Sequence, residues 1–255
     1  MGIVNMTPDS FSDGGRFTAI DNAVKQAEKM VEEGAVIVDV GGESTRPGSD
    51  PITAEEEQSR VLPVIEALLK RDVPLVSIDT YRASTARMAI EAGAHVINDV
   101  WGFQKDPDIA EAASATGAGI CAMHTGRERQ KENDVVKDQM AFLGKSLDVL
   151  KRAGVREEAI VLDPGFGFAK DPVENAELLA RLDELHELGF ISSGNDEFIL
   201  SISNIARLFY LDENYIPINL DIDFLPFSIT NSDMEKWLEL NANIENLDCF
   251  GAENG

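Results

Sequence analysis

Short apolar runs alternate with amphipathic helical stretches along most of this chain, and this alternation restricts the fold more than any other feature. The strand candidates are 2–5, 35–40, 74–78, 95–97, 119–123 and 159–162. The helix candidates are 19–33, 54–70, 82–92, 108–116, 134–153 and 173–188. Strands that are apolar almost throughout are typical of parallel sheets buried on both faces. The pattern therefore predicts βα units, arranged as a doubly wound sheet or as a barrel.

A polar or charged side chain ends or directly follows nearly every predicted strand. These residues are Asn5, Asp39, Asp79, Asn98, His124 and Asp163. Taken singly, each could be a turn former or a helix N-cap. In a barrel, however, the C-terminal ends of the strands converge on the face where active sites lie. Six such residues in succession therefore favour a TIM-type (β/α)8 barrel with a ring of site residues at its mouth.

The composition changes near residue 190, which defines two regions. Residues 191–255 carry nine Asn and twelve acidic residues, against Arg207 and Lys236 as their only basic residues. We assign residues 1–190 to barrel units one to six and residues 191–255 to a divergent C-terminal segment. The segment offers a seventh strand at 197–202 and an alternating eighth strand at 216–222. We therefore expect a barrel that is incomplete or irregular in its last two βα units.

The formal net charge of −24 limits the partners of the chain. Such a surface repels nucleic acid and anionic lipid, so we expect neither as a partner. An anionic substrate would have to be held by a few local cations, by backbone N–H groups or by a metal. Two cysteines, Cys121 and Cys249, fit a reducing cytoplasm. No secretory signal or membrane-length apolar run is visible, so we expect a cytoplasmic protein.

Four segments carry the residues from which chemistry is expected. They are MGIVNMTPDSFSDGG (1–15), GGESTRPGS (41–49), the pair SIDT (77–80) and VINDVWG (96–102), and LDPGFGFAK (162–170). Structural explanations exist for parts of them: PDS and PGS form turns, Gly41 and Gly42 could relieve crowding, and Phe166 and Phe168 could be core residues. Long loops after barrel strands are nevertheless where function usually lies.

In this order, the four segments resemble the dihydropteroate synthases of the pterin-binding barrel family, over roughly residues 1–190. The resemblance implies a transferase of folate biosynthesis that joins 6-hydroxymethyl-7,8-dihydropterin diphosphate to 4-aminobenzoate, releasing pyrophosphate. It further implies Mg²⁺ as the cofactor, small molecules as partners, sulfonamides as inhibitors, and a homodimer as an assembly to test.

The resemblance also implies a role for individual residues. It assigns recognition of the pterin edge to Asp163, Asp79 and Asn98, and a pterin-pocket contact to Met123. It assigns Asn5 to Mg²⁺ and Thr45 to the diphosphate side of the substrate. The mobile loops over 4-aminobenzoate would contribute Phe11, Asp13, Arg46 and Pro47, and Phe168 would form a wall of that pocket. Of these residues, Asn5, Asp13 and Arg46 are the expected catalytic contributors.

Two motifs of the family are missing from the C-terminal segment. The family has a strand ending in Ser-Arg-Lys and a later Arg-x-His-Asp element, which contact the pterin and the diphosphate. The nearest match to the first is ILSISNIAR (199–207), which places Ser203, Asn204 and Ile205 on those three positions. Three hypotheses follow: an active synthase, a catalytically impaired pterin-binding protein, or a truncated or chimeric product.

Overall fold

The computed structural model of the chain describes residues 1–6, 15–44, 49–71 and 73–188. Six strands form one sheet: β1 (Gly2–Asn5), β2 (Ile37–Gly41), β3 (Leu75–Asp79), β4 (Val96–Asp99), β5 (Gly119–Met123) and β6 (Ile160–Asp163). Six helices alternate with them: α1 (Gly15–Glu32), α2 (Ala54–Leu68), α3 (Ala83–Glu91), α4 (Ile109–Thr116), α5 (Val135–Arg152) and α6 (Pro172–Ala180). Two 3₁₀ helices complete the described part, Glu157–Ala159 and Leu182–Leu188.

The order of the strands identifies the architecture. All neighbouring strands are parallel and follow chain order from β1 to β6. Each helix also contacts the next helix along the chain, from α1 to α6. A doubly wound sheet would reverse its strand order and divide its helices between two faces. Sequential strands inside a continuous series of helices are the arrangement of a barrel, so the predicted fold class is confirmed over six βα units.

The strand register corrects the predicted position of Asp39. Strand β2 continues to Gly41, which pairs with Asn5 on one side and Asp79 on the other. Asp39 therefore lies two residues before the end of β2, opposite Ile3 and Ser77. Its side chain is buried one layer deeper than those of Asn5 and Asp79. Strand β4 also ends one residue later than Asn98, at Asp99.

Helix ends follow local sequence signals, although not always those expected. The sequence predicts a capping box at Thr53 and Glu56, and Thr53 does accept a hydrogen bond from the Glu56 backbone N–H. The Glu56 carboxylate pairs with Arg60 and does not accept a hydrogen bond from the Thr53 backbone N–H, so the capping box is incomplete. A complete capping box forms at Asp171 and Glu174 at the start of α6. The predicted helix 173–188 is divided, because α6 ends at Ala180 and a 3₁₀ helix follows.

The main core lies between the strands and the inward faces of α1 to α5. Its members are almost entirely apolar, and many side chains, such as Val40, Ile65 and Ile97, are completely inaccessible to solvent. No helix among the described residues is long and apolar enough to span a membrane. The expected seventh and eighth strands, together with Ser203, Asn204 and Ile205, lie outside the described residues.

Candidate active site

Three of the predicted site residues lie in one row at the C-terminal ends of adjacent strands. The register aligns Asn5, Gly41, Asp79 and Asn98 across β1 to β4. A Cβ atom placed on Gly41 would lie 3.1 Å from Asn5 Oδ1 and 3.4 Å from Asp79 Oδ2. The side chains of Asn5 and Asp79 therefore flank the open space above Gly41. This glycine keeps the mouth of the barrel accessible at that point.

Asn98 connects this row to the buried carboxylate of Asp39. Its amide Nδ2 donates to Asp39 Oδ2 at 2.9 Å. Burial raises the pKa of Asp39, and the nearby polar side chains of Ser77 and Asn98 oppose that rise. Asn98 Oδ1 is buried and has no hydrogen-bond partner among the described residues. An unpaired buried acceptor is costly, so this oxygen is suited to a ligand that donates to it.

The acidic residues of the different strands approach the same interior region. Burial is the main cause of the raised pKa of the Cys121 thiol, and the carboxylates of Asp163, Asp39 and Asp79 raise it further. Asp79 ends β3 and Asp163 ends β6, so both residues lie at the C-terminal edge of the parallel sheet, as the barrel prediction requires.

An apolar surface lies beside these acceptors. Met123 and Phe168 are buried and pack with Val100 and Trp101 in one cluster. The Arg127 guanidinium lies over the Phe168 ring at 4.5 Å from its centroid. Phe166, in contrast, is fully buried against α5 and α6 residues, so its core explanation is correct. Met123 and Phe168, which the sequence assigned to the site, therefore belong to one apolar cluster.

A cleft of about 540 Å³ opens at this mouth. It is lined by residues that follow five successive strands, including Glu43, Thr80, Trp101, Arg127 and Gly167, and it reaches Asp79. Lys105 Nζ lies 3.7 Å from the Trp101 ring centroid and 4.7 Å from that of Tyr81. Convergence of five βα loops on one cleft is the usual location of a barrel active site.

The start of the GGESTRPGS segment is held by a buried ion cluster. Arg82 contacts Glu43 Oε2 at 2.5 Å and Glu57 Oε2 at 3.2 Å, and Thr85 donates to Glu57 Oε2. A Cβ on Gly42 would lie 2.8 Å from Val61 Cγ1, so this glycine does relieve crowding against α2. The cluster fixes the beginning of the loop at the rim of the cleft.

The structure also reveals a polar network of which the sequence analysis had singled out only His124. Lys170, His124, Asp138 and Arg129 form a hydrogen-bonded network beside the loop that follows Asp163. His124 follows β5 and Asp138 lies on α5, so their proximity depends on tertiary packing. The available signals were His124, which follows a predicted strand, and Lys170, a lysine at the end of the LDPGFGFAK segment.

Five predicted site residues lie outside the described residues and stay predictions. They are Phe11, Asp13, Thr45, Arg46 and Pro47. Within the described part, no cluster of three or more His, Cys, Asp or Glu side chains could hold a metal ion.

Comparison with known proteins gives a consistent result. The sequence model of the family described as pterin binding enzyme matches residues 1–217. The dihydropteroate synthase of Clostridium beijerinckii is 49% identical over 191 residues, covering 74% of this chain and 70% of that protein. The crystal structure of a Clostridium difficile dihydropteroate synthase in the presence of pteroic acid aligns with a TM-score of 0.70 at 45% identity, covering 74% and 72% of the two chains. A Xanthomonas albilineans dihydropteroate synthase with 4-aminobenzoic acid gives a TM-score of 0.69 at 42% identity, covering 74% and 69%.

Proposed function

Because the chain belongs to the pterin binding enzyme family and its relatives are dihydropteroate synthases, we propose that it is a transferase of the same type in folate biosynthesis. It condenses 6-hydroxymethyl-7,8-dihydropterin diphosphate with 4-aminobenzoate to give 7,8-dihydropteroate and pyrophosphate. The chain spans about 70% of the length of the curated relative from Clostridium beijerinckii. The single observation that carries the proposal is the convergence of acceptors from adjacent strands beside an apolar wall.

This combination suits a pterin ring. A pterin is flat and presents adjacent N–H and NH2 donors along one edge, so it needs acceptors at an edge and apolar surface on its faces. Asp163, Asp79 and Asn98 supply the acceptors, and the buried Asn98 Oδ1 supports that role. Met123 supplies apolar surface to the pterin, and Phe168, which packs in the same cluster, forms a wall of the adjoining 4-aminobenzoate pocket. A buried carboxylate that accepts two donors gives orientation as well as affinity.

Asn5 is the residue that would hold Mg²⁺. Its Oδ1 atom lies at the mouth beside Gly41, and a neutral oxygen suits an ion that keeps most of its waters and bridges to phosphates. Bound there, Mg²⁺ would neutralise charge on the diphosphate.

The remaining site residues belong to the two loops. In this proposal Thr45 contacts the diphosphate side of the substrate, and Phe11, Asp13, Arg46 and Pro47 close over 4-aminobenzoate. Sulfonamide sensitivity would follow from occupation of that same pocket. The expected homodimer also stays a prediction, which sedimentation analysis can test.

The chemistry requires no protein nucleophile. The carbon–oxygen bond of the pterin methylene breaks and its electron pair leaves with pyrophosphate. The neutral arylamine then forms the carbon–nitrogen bond and loses a proton. The protein holds the two reactants in line, stabilises the developing charge and excludes water. Asp163 and Asn98 orient the pterin for this attack.

A second function is favoured by the C-terminal departure from the family. The positions expected for Ser-Arg-Lys carry Ser203, Asn204 and Ile205, and no histidine follows His186. Each lost charge-assisted contact to a diphosphate is worth about 1.5–3 kcal/mol. A pterin-binding protein with impaired turnover would retain the described acceptors while lacking these contacts.

A pyrophosphate-release assay with both substrates, run beside pterin-binding calorimetry, separates the two functions. Release that requires both the pterin diphosphate and 4-aminobenzoate identifies an active synthase, and omission of 4-aminobenzoate is the control. Pterin binding without such release identifies the impaired binder. Absence of both pterin binding and release would contradict the proposal.

A further inference from the structure

The loop that follows β6 is held so that its backbone orients Asp163. The Gly165 N–H donates to Asp163 Oδ1 at 2.7 Å, and the His124 N–H donates to the Asp163 carbonyl at 2.8 Å. Gln139 Nε2 donates to the Pro164 carbonyl at 3.0 Å. The turn over residues 163–165 is therefore attached both to the end of β5 and to α5.

Gly165 is packed too closely to move independently. Its φ is +61°, and a Cβ built on it would lie 2.0 Å from the His124 carbonyl oxygen. The peptide at Gly165 thus lies directly against the backbone that ends β5. Its N–H and its C=O belong to consecutive peptide planes that meet at the Gly165 Cα. Because the close packing against His124 restricts that Cα, a contact on the carbonyl limits the rotation about φ and ψ and helps to hold the N–H toward Asp163.

Lys170 makes that contact on the carbonyl. Its Nζ donates to Gly165 O at 2.8 Å and lies 2.8 Å from His124 Nδ1. The side chain is 8% exposed, and lysine is rarely so buried without partners. Gly167 and Ala169 are among the described residues that line the cleft, but Lys170 is not. The Lys170 ammonium is buried against Gly165 and His124, so Lys170 acts on the loop itself.

His124 is prepared to accept the hydrogen bond from Lys170. Burial lowers the pKa of His124 to about 4, so the ring is neutral at neutral pH. Its Nε2 lies 2.9 Å from Asp138 Oδ2, and Asp138 also binds Arg129. A neutral ring that donates from Nε2 to Asp138 presents Nδ1 as an acceptor to the Lys170 ammonium. Asp138 thus favours this tautomer, while Arg129, whose Nη2 lies 2.8 Å from His124 Nε2, donates to the same carboxylate and holds it in place.

We propose that Lys170 is a positioning residue for pterin recognition: held by His124, which Asp138 orients, its ammonium fixes the Gly165 carbonyl and thereby the turn whose Gly165 N–H orients the Asp163 carboxylate. The inference rests on the proposed function, in which Asp163 accepts from the pterin edge. It extends that function to a residue that does not contact the substrate and acts entirely through Asp163.

A double-mutant cycle on the full-length chain tests this inference, with 6-hydroxymethylpterin as the calorimetric probe. Lys170→Met keeps the length and apolar stem of the side chain and removes its donors. We expect it to weaken pterin binding by about tenfold in the native background. In an Asp163→Asn background the same change should cost less than about twofold, because coupled residues are not additive.

Lys131→Met is the matched control. Lys131 also donates to a carbonyl of this loop, that of Ala169 at 2.9 Å, and pairs with Glu174, but it does not contact the turn over residues 163–165. We expect this variant to bind the pterin as the native chain does. Thermal unfolding of each variant identifies any that fail to fold. If Lys170→Met is one of these, Lys170→Gln, which keeps a neutral donor, replaces it in the cycle under the same criteria.

The outcomes separate the inference from the function on which it rests. Equal losses from the Lys170 variant in both backgrounds would show that Lys170 does not act through Asp163, and would overturn the inference. Normal binding by the Lys170 variant, with weakened binding by Asp163→Asn, would also overturn it and leave the proposed function intact. Normal binding by Asp163→Asn would overturn the pterin-edge assignment and the inference together.

Discussion

Substitution of Gly165 by alanine should displace the loop that carries Asp163. The new Cβ would lie 2.0 Å from the His124 carbonyl oxygen, where contacts under 3.0 Å are essentially never found, so the two backbones must separate by about 1 Å. The obstacle is a backbone carbonyl at the end of β5, which cannot rotate away as a flexible side chain could. A misplacement of about 1 Å in a site can reduce activity about 100-fold. Strain at positive φ and overpacking should together lower the free energy of unfolding by about 2–4 kcal/mol.

The measurement is pterin affinity by calorimetry together with thermal unfolding, and Gly117→Ala is the matched control. Gly117 has a φ of +68°, close to the +61° of Gly165, but a Cβ built on it meets nothing within 4 Å. It caps α4, away from the mouth of the barrel. The control should lose only about 1 kcal/mol of stability from backbone strain and keep normal pterin affinity. Equal effects of the two substitutions on affinity and stability would refute the argument from close packing.

Three further predictions concern stability and pH. Gly144→Ala should raise the free energy of unfolding by about 0.5–1 kcal/mol, measured by chemical denaturation, because Gly144 lies inside α5 and a Cβ there meets nothing within 4 Å. Burial of Asp138 would raise its pKa, but hydrogen bonds from His124 and Arg129 outweigh this effect and hold the pKa below its usual range. The ionised Asp138 therefore stabilises the folded protein above the pKa that the carboxyl has in the unfolded chain, and this contribution is lost as the pH falls. In Asp138→Asn, the Tm should accordingly depend less on pH in the acid range, and an unchanged acid slope would contradict this. Burial lowers the pKa of Lys170 to about 7; Lys131 and Arg129 lower it further, whereas Asp163 and Asp138 raise it. Pterin affinity should therefore fall between about pH 6 and about pH 8, as the Lys170 ammonium loses its proton. In Lys170→Met, calorimetry should show a pterin affinity that depends less on pH over this range.

The positions of the strands could be predicted because buried parallel strands are apolar almost throughout. Strands β1 and β5 have the predicted bounds, and the other four differ by one or two residues at either end. The depth of Asp39 could not be predicted in the same way. Gly41 continues β2 beyond Val40, and a glycine carries no side chain by which a strand end can be recognised. Asp39 was therefore placed at the mouth when it lies inside the barrel.

Competition between side chains explains the two helix starts. Thr53 and Asp171 are each followed three residues later by a glutamate, which is the sequence signal of a capping box. Glu56 has Arg60 one turn later and pairs with it, so its carboxylate is not available to the cap. Glu174 returns to the Asp171 backbone N–H at 2.8 Å while also holding Lys131. The local pattern was the same in both cases, and the more distant partners determined the outcome.

The network behind Asp163 was beyond local sequence analysis for a related reason. Lys170 and His124 are 46 residues apart, and His124 and Asp138 are 14 apart. No spacing typical of a motif connects them, and their proximity arises only when β5, α5 and the loop after β6 pack together. His124 was correctly placed near the mouth, but its ring faces Asp138 and Lys170 and is fully buried, so it supports the site without lining it.

The pterin and the diphosphate of the substrate require opposite kinds of binding group, and this difference explains how an active synthase and an impaired pterin-binding protein could share the same pterin site. The pterin ring is neutral and needs acceptors, which the strand ends supply in a protein of net charge −24. The diphosphate is anionic and needs cations, yet Arg82 is bound to Glu43 and Glu57, and Arg129 is bound to Asp138. Lys105 and Arg127 line the cleft over aromatic rings, so they bring positive charge to the mouth. Pterin binding and diphosphate binding therefore depend on different parts of the chain, and a chain that had lost diphosphate binding would still bind the pterin.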